Sequence, residues 1–176
     1  MSARRIEPVV PGTRPELAVL EARIAAARGR ISPLYQVLLN SPAVVEGWEA
    51  MLTAIRQKTS LAPRLRELII LRVATLNNAP YEFEAHVPHA LAGGMPQTVI
   101  DVLRGNPAPD QVQGLEPGEA EVLALTDAMT RDIEVPDAVF APLRERYDDA
   151  QLVELTATVG AYNMVSRFLV ALRVGH

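Results

Sequence analysis

Between Leu68 and Leu76 the chain reads LIILRVATL, apolar almost all the way round a helix and broken only by Arg72 and Thr75. A helix with no wet face must be surrounded, either in the middle of a large core or against another subunit. A chain of 176 residues has few helices with which to enclose one. The expectation at this level is therefore a helical protein that self-associates.

The flanking sequence supplies helices on both sides. RPELAVLEARIAAARGR (residues 14–30) sets Leu17, Leu20, Ile24 and Ala27 on one stripe. SPLYQVLLN and SPAVVEGWEAMLTAIRQK each begin with a serine cap and a proline at the first helical position. The second of them places Val45, Trp48, Met51, Leu52 and Ile55 on one face. APRLRELIILRVATLNN ends suitably at Asn77-Asn78, PYEFEAHVPHALAGG closes on a glycine pair, and PQTVIDVLRG has Pro in front and Gly behind. NPAPDQVQGLEPG (residues 106–118) reads as an ordered surface loop and not as a domain linker, since neither side is large enough alone. Three more helical segments follow, the last being DAQLVELTATVGAYNMVSRFLVALRV. No stretch alternates as a strand does. Aromatic residues make up 5%, so the core is built from Leu, Val, Ala and Ile, which favours packed helices. The predicted architecture is all-α: one domain over residues 1–176, with a core motif at 61–103 and a closing helix at 149–174.

Composition removes several functions. The net charge of −4 and the lack of a basic run leave no footprint for nucleic acid. There is no cysteine, so disulfides, thiol catalysis and thiolate metal sites are excluded. No apolar run approaches the ~20 residues that cross a bilayer. The start of the chain, MSARRIEPVVPGTRPE, lacks the apolar stretch of a secretory signal. A cytoplasmic protein is expected, with no membrane partner and no cofactor.

Polar chemistry concentrates in PYEFEAHVPHALAGG. On a helix Glu82 and His86 are four apart and His86 and His89 three apart, so all three project from neighbouring positions. Glu82 could accept a hydrogen bond from His86 and orient its ring. Pro88 would open or bend the helix beside the histidines. Two other readings stand beside a proton-transfer site. One is a salt-bridged surface turn. The other is a metal held by Glu82, His86 and His89, although HExxH is absent and the third histidine, His176, is at the chain end. Ahead of the apolar run, Glu67 shares a stripe with Leu71, Ala74 and Asn78, which sets its carboxylate at the edge of buried surface. The bland alternative is a first-turn glutamate complementing the helix dipole, with Arg66 solvated.

The segment LAPRLRELIILRVATLNNAPYEFEAHVPHALAGGMPQTVIDVL resembles the core repeat of the carboxymuconolactone decarboxylase and alkylhydroperoxidase D superfamily. The match is good over residues 61–103 and looser in VGAYNMVSRFLVAL. The resemblance implies an all-helical bundle that assembles as a trimer or hexamer. In the peroxidase branch a glutamate precedes a histidine by nineteen residues, with cysteines seven and four positions before that histidine. Glu67 and His86 keep the nineteen-residue spacing, whereas the cysteine positions hold Ala79 and Glu82. The proton-relay half of the peroxidase site is present and the redox half is gone. A carboxylate cannot form a disulfide, so peroxidase chemistry is rejected. An acidic residue at position 82 resembles the decarboxylase branch.

The expected activity is decarboxylation of a small cyclic lactone carboxylate, with a small-acid-binding scaffold as the alternative. His86 is the candidate acid/base, Glu67 orients it or passes a proton, and Glu82 tunes it or acts as a second acid. Arg66 or Arg167 is expected to bind the anion. Arg167 lies with Tyr162 and Asn163 in AYNMVSR, where a polar seam between subunits is the competing reading.

Overall fold

The computed structural model describes residues 5–175, in which nine α-helices and no strand are found. They are α1 (Ala18–Arg28), α2 (Pro33–Leu38), α3 (Pro42–Gln57), α4 (Pro63–Leu76), α5 (Pro80–Ala92), α6 (Gln97–Arg104), α7 (Glu119–Arg131), α8 (Asp137–Arg146) and α9 (Asp149–Leu172). Short 3-10 turns occupy Pro15–Leu17 and Pro109–Gln111. The chain divides into two compact units. The first runs to Lys58 and takes in the chain from Leu169 onward; the second is Thr59–Phe168. The loop at residues 106–118 lies inside the second unit and is ordered there: Val112 is buried, and Leu115 packs on the core cluster of that unit.

Proline, more than serine, starts these helices. Pro33, Pro42, Pro63 and Pro80 all occupy the first turn, where the missing N–H removes nothing and φ is already helical. Ser32 and Ser41 stand at the N-cap positions, as expected, but neither side chain makes a capping hydrogen bond. In the first unit, the α3 stripe is buried at Val45, Trp48, Leu52 and Ile55, while Met51 is exposed.

The apolar run forms α4, and residues Glu67 to Ala74 are all buried. Leu68, Ile69, Ile70, Leu71 and Val73 have no exposed surface, each contributing about 1.5–3 kcal/mol relative to a wet position. Helices of the same chain do the covering: α4 packs on α5, α7 and α6. The burial of this helix is complete within one chain, so its apolar pattern alone does not require a second subunit.

A tight turn joins α4 to α5, closed by Ala79 N–H donating to Ala74 O at 2.8 Å and by Asn78 at φ 54°. At the far end of α5 the two glycines do different jobs. A side chain on Gly93 would come within 3.1 Å of the Arg64 backbone nitrogen, and Gly94 takes φ 88°. Arg64 then clips the region, donating to Gly94 O, Gly114 O and the Glu119 carboxylate. α5 runs unbroken through Pro88, in place of the expected opening. Glu84, whose carbonyl loses its helical partner to that proline, lies on the exposed side, where water can supply one.

α9 is long and apolar enough to cross a membrane by length and composition, a feature the sequence reading passed over. Half of its apolar window is buried against protein, which accounts for that composition in a core helix.

Candidate active site

Glu67 on α4 and His86 on α5 meet across the helical hairpin. His86 Nδ1 lies 2.7 Å from Glu67 Oε2, with Glu67 1% and His86 8% exposed. An ionised Glu67 can only accept, so the hydrogen of this bond belongs to Nδ1, and Nε2 is left as the atom able to take or release a proton. The Tyr162 ring stands edge-on to the imidazole, with centroids 5.3 Å apart, and the His89 ring lies 5.7 Å away. Arg66 Nε is 3.6 Å from Glu67 Oε1, an ion pair beyond hydrogen-bond range.

Glu82 occupies the turn of α5 before His86, on the same face. Its residue is 2% exposed, and neither carboxyl oxygen has a hydrogen-bond partner. Burial alone, with no cation to offset it, pushes its pKa well above the usual glutamate range. A buried polar group with nothing to bond is rare enough to require an explanation.

The pH dependence of stability follows from that shift. The folded chain holds a proton on Glu82 where the unfolded chain has released it. Stability is therefore fullest below the ordinary glutamate pKa and declines as pH rises towards the folded value. Glu82→Gln, neutral at every pH, is expected to match wild type in acid and to exceed it by about 1–3 kcal/mol on the alkaline side. Urea midpoints measured across that range check this; parallel curves for the two proteins contradict it.

Not every predicted residue joins this cluster. Asn163 is buried in a separate network: it accepts from Asn77 Nδ2 at 2.9 Å and donates to Thr130 Oγ1 and Val159 O. Ser166 accepts from Asn77 as well. These bonds tie the end of α4 to α7 and α9 within one chain, where the sequence suggested a seam between subunits. Arg167 is exposed on α9. The structure thus brings together Glu67, His86, Arg66 and Tyr162, with Glu82 one turn away, and leaves out Asn163 and Arg167. Among the described residues no cluster of three or more His, Asp or Glu side chains could hold a metal, which removes the Glu82–His86–His89 metal reading. His176 lies outside the described residues.

One buried pair escaped the sequence reading. Arg72, with no exposed surface, makes two 2.6 Å bonds to the Asp127 carboxylate. The lone charge in LIILRVATL was the signal, but its partner is 55 residues away.

The sequence profile of the Carboxymuconolactone decarboxylase family matches residues 42–128, a span that contains Glu67, Glu82 and His86. That match, together with the helical fold, supports membership of the carboxymuconolactone decarboxylase and AhpD-like superfamily. Among its relatives, the uncharacterized protein YdfG of Bacillus subtilis (strain 168) is 27% identical over 118 residues, 66% of this chain and 78% of YdfG. A peroxidase-related protein from Ralstonia eutropha JMP134, described as an alkylhydroperoxidase AhpD core, superposes with a TM-score of 0.82 at 17% identity. That match covers 99% of this chain and 92% of the other. A debrominase, Bmp8, in complex with 2,3,4-tribromopyrrole gives a TM-score of 0.78 at 14% identity, covering 99% and 91%. Likeness at these identities establishes the AhpD-like helical fold, and fold leaves the reaction open.

Proposed function

We propose that this protein is an acid–base lyase that decarboxylates a small cyclic acid, a lactone carboxylate of the kind the family's name describes. The observation that carries the reading is the buried 2.7 Å contact between Glu67 and His86. The chain has no cysteine, so the thiol chemistry of peroxidases has no nucleophile in it.

In the proposed reaction the bond between the ring carbon and its carboxylate breaks. CO2 leaves, and the electron pair stays on the ring as a dienolate. A proton delivered to carbon completes the product. His86 Nε2 supplies that proton or returns it, while the Glu67 carboxylate stabilises the imidazolium that forms in the cycle. Glu82, kept neutral by burial, is the second acid on the same face of α5. Arg66 orients the substrate carboxylate. Tyr162 and the apolar surroundings lower the local dielectric, which favours spreading charge from a carboxylate into a conjugated enolate. Assembly into a trimer or hexamer in the cytoplasm, which the family resemblance implies, belongs to the same proposal.

A binding scaffold is the rival reading. Burial of Glu67, Glu82 and His86 speaks against it, since a carboxyl held dry and unpartnered costs stability that a scaffold has no use for. The test is CO2 release from a panel of lactone carboxylates by wild type and by His86→Ala. Turnover by wild type that the substitution abolishes supports the lyase. Turnover that the substitution leaves intact removes His86 from the mechanism.

A further inference from the structure

A cavity of about 510 Å³ opens where α4 ends and α5 begins. None of Glu67, Glu82 or His86 lines it. Ala74, Ala79 and Phe83 give it apolar walls, and Asn78, Asn106 and Arg104 bring two amides and a guanidinium to it. Its volume is in the range of pockets that enclose small organic ligands.

The charge at this cavity is available for exchange. Arg104 lies over the Phe83 ring, 4.5 Å from its centroid, so its guanidinium plane is held beside an apolar surface. Its ion-pair partner is Glu84, and the two side chains are 47% and 58% exposed. An ion pair so open to water contributes little, and a ligand carboxylate can take the place of Glu84. Asp101 also acts on Arg104 but is engaged by Gln97 at 2.8 Å, and Arg131 donates to Asn106 Oδ1 at 3.2 Å. The wall at Ala79 and Pro80 is the start of α5, which has no side-chain cap, so the positive end of its dipole adds to the preference for an anion.

We propose that this cavity binds a flat, largely apolar monocarboxylate, its ring against Ala74, Ala79 and Phe83 and its carboxylate on Arg104 in place of Glu84. The site is separate from the Glu67–His86 pair and does not depend on the decarboxylase reading.

Calorimetric titration of the full chain tests it, using benzoate, 1-naphthoate, the neutral isostere benzamide, and inorganic phosphate. Expected are saturable one-to-one binding of the two aromatic acids and binding of benzamide and phosphate about tenfold weaker or less. Arg104→Gln is expected to weaken the aromatic acids by about tenfold or more. Glu84→Gln, which removes the internal competitor, is expected to tighten them by about threefold. Both substitutions are at exposed positions, and circular dichroism verifies that they leave the fold intact. His86→Ala should leave these affinities unchanged. Absence of saturable binding overturns the proposal. So does benzamide or phosphate binding as well as benzoate, indifference to Arg104→Gln, failure of Glu84→Gln to tighten binding, or loss of affinity in His86→Ala, which would put the acid at the imidazole.

Discussion

Asp127→Ala is expected to lower the unfolding free energy by about 3–5 kcal/mol, the largest stability effect of any single substitution at a polar side chain. Arg72 has no exposed surface and sits within the run of α4 from Glu67 to Ala74 that is buried at every position, so its charge cannot reach water when the carboxylate is removed. The two 2.6 Å bonds to Asp127 are the contacts that make the guanidinium tolerable there, and its Nη1 already lacks a hydrogen-bond partner. The converse substitution, Arg72→Leu, should cost less. The Asp127 side chain is 12% exposed, and Arg131 Nη1, 3.7 Å away, can move to answer its charge. Replacing both partners, as Arg72→Leu with Asp127→Ala, should bring stability back towards wild type, because a buried ion pair is worth little over apolar groups although half of one is expensive. Urea titration of the four proteins decides it. A double variant as unstable as the sum of the two singles would show that the pair does more than neutralise itself.

That pair also marks the boundary of what the sequence discloses. Local signals located nearly every helix: proline in the first turn and the periodic stripe of each segment place α3, α4 and α5 within a residue or two of where they lie. The Glu67–His86 contact was legible because a resemblance preserved the nineteen-residue spacing, and the helical hairpin turns that spacing into a 2.7 Å approach. What stayed hidden depends on distant partners. Nothing near Arg72 says that its carboxylate lies on α7, and nothing near Asn163 says that Asn77 and Thr130 satisfy it. Asn163 and Arg167 looked alike as polar residues in an apolar run. One is a buried clamp and the other is exposed, and that difference is set by which side of α9 meets protein. The same limitation explains the expectation of a second subunit around α4. The pattern showed that the helix had to be covered, but not that α5, α6 and α7 would suffice.

His86→Ala is expected to reduce kcat for decarboxylation by about 10²–10⁴-fold, the usual contribution of a positioned acid or base. Glu67→Gln should approach the same loss while leaving the imidazole in place. The amide has the size of the carboxylate but no charge to stabilise the imidazolium, and its NH2 can turn towards Nδ1 and force the hydrogen onto Nε2. In both variants KM should change little, because neither side chain is assigned the substrate carboxylate. Arg66→Gln should do the opposite, raising KM with a smaller effect on kcat, since Arg66 is placed to orient the anion and not to move a proton. The two acids should also separate by pH. Glu82 gives up its proton only above the usual glutamate range, so if it serves as the second acid, Glu82→Gln removes the alkaline fall in kcat that ionisation of Glu82 produces. Steady-state rates over pH for the four variants distinguish these roles. If Glu67→Gln kept full activity, the buried contact with His86 would be a structural tie, and the acid–base reading of this hairpin would fail with it.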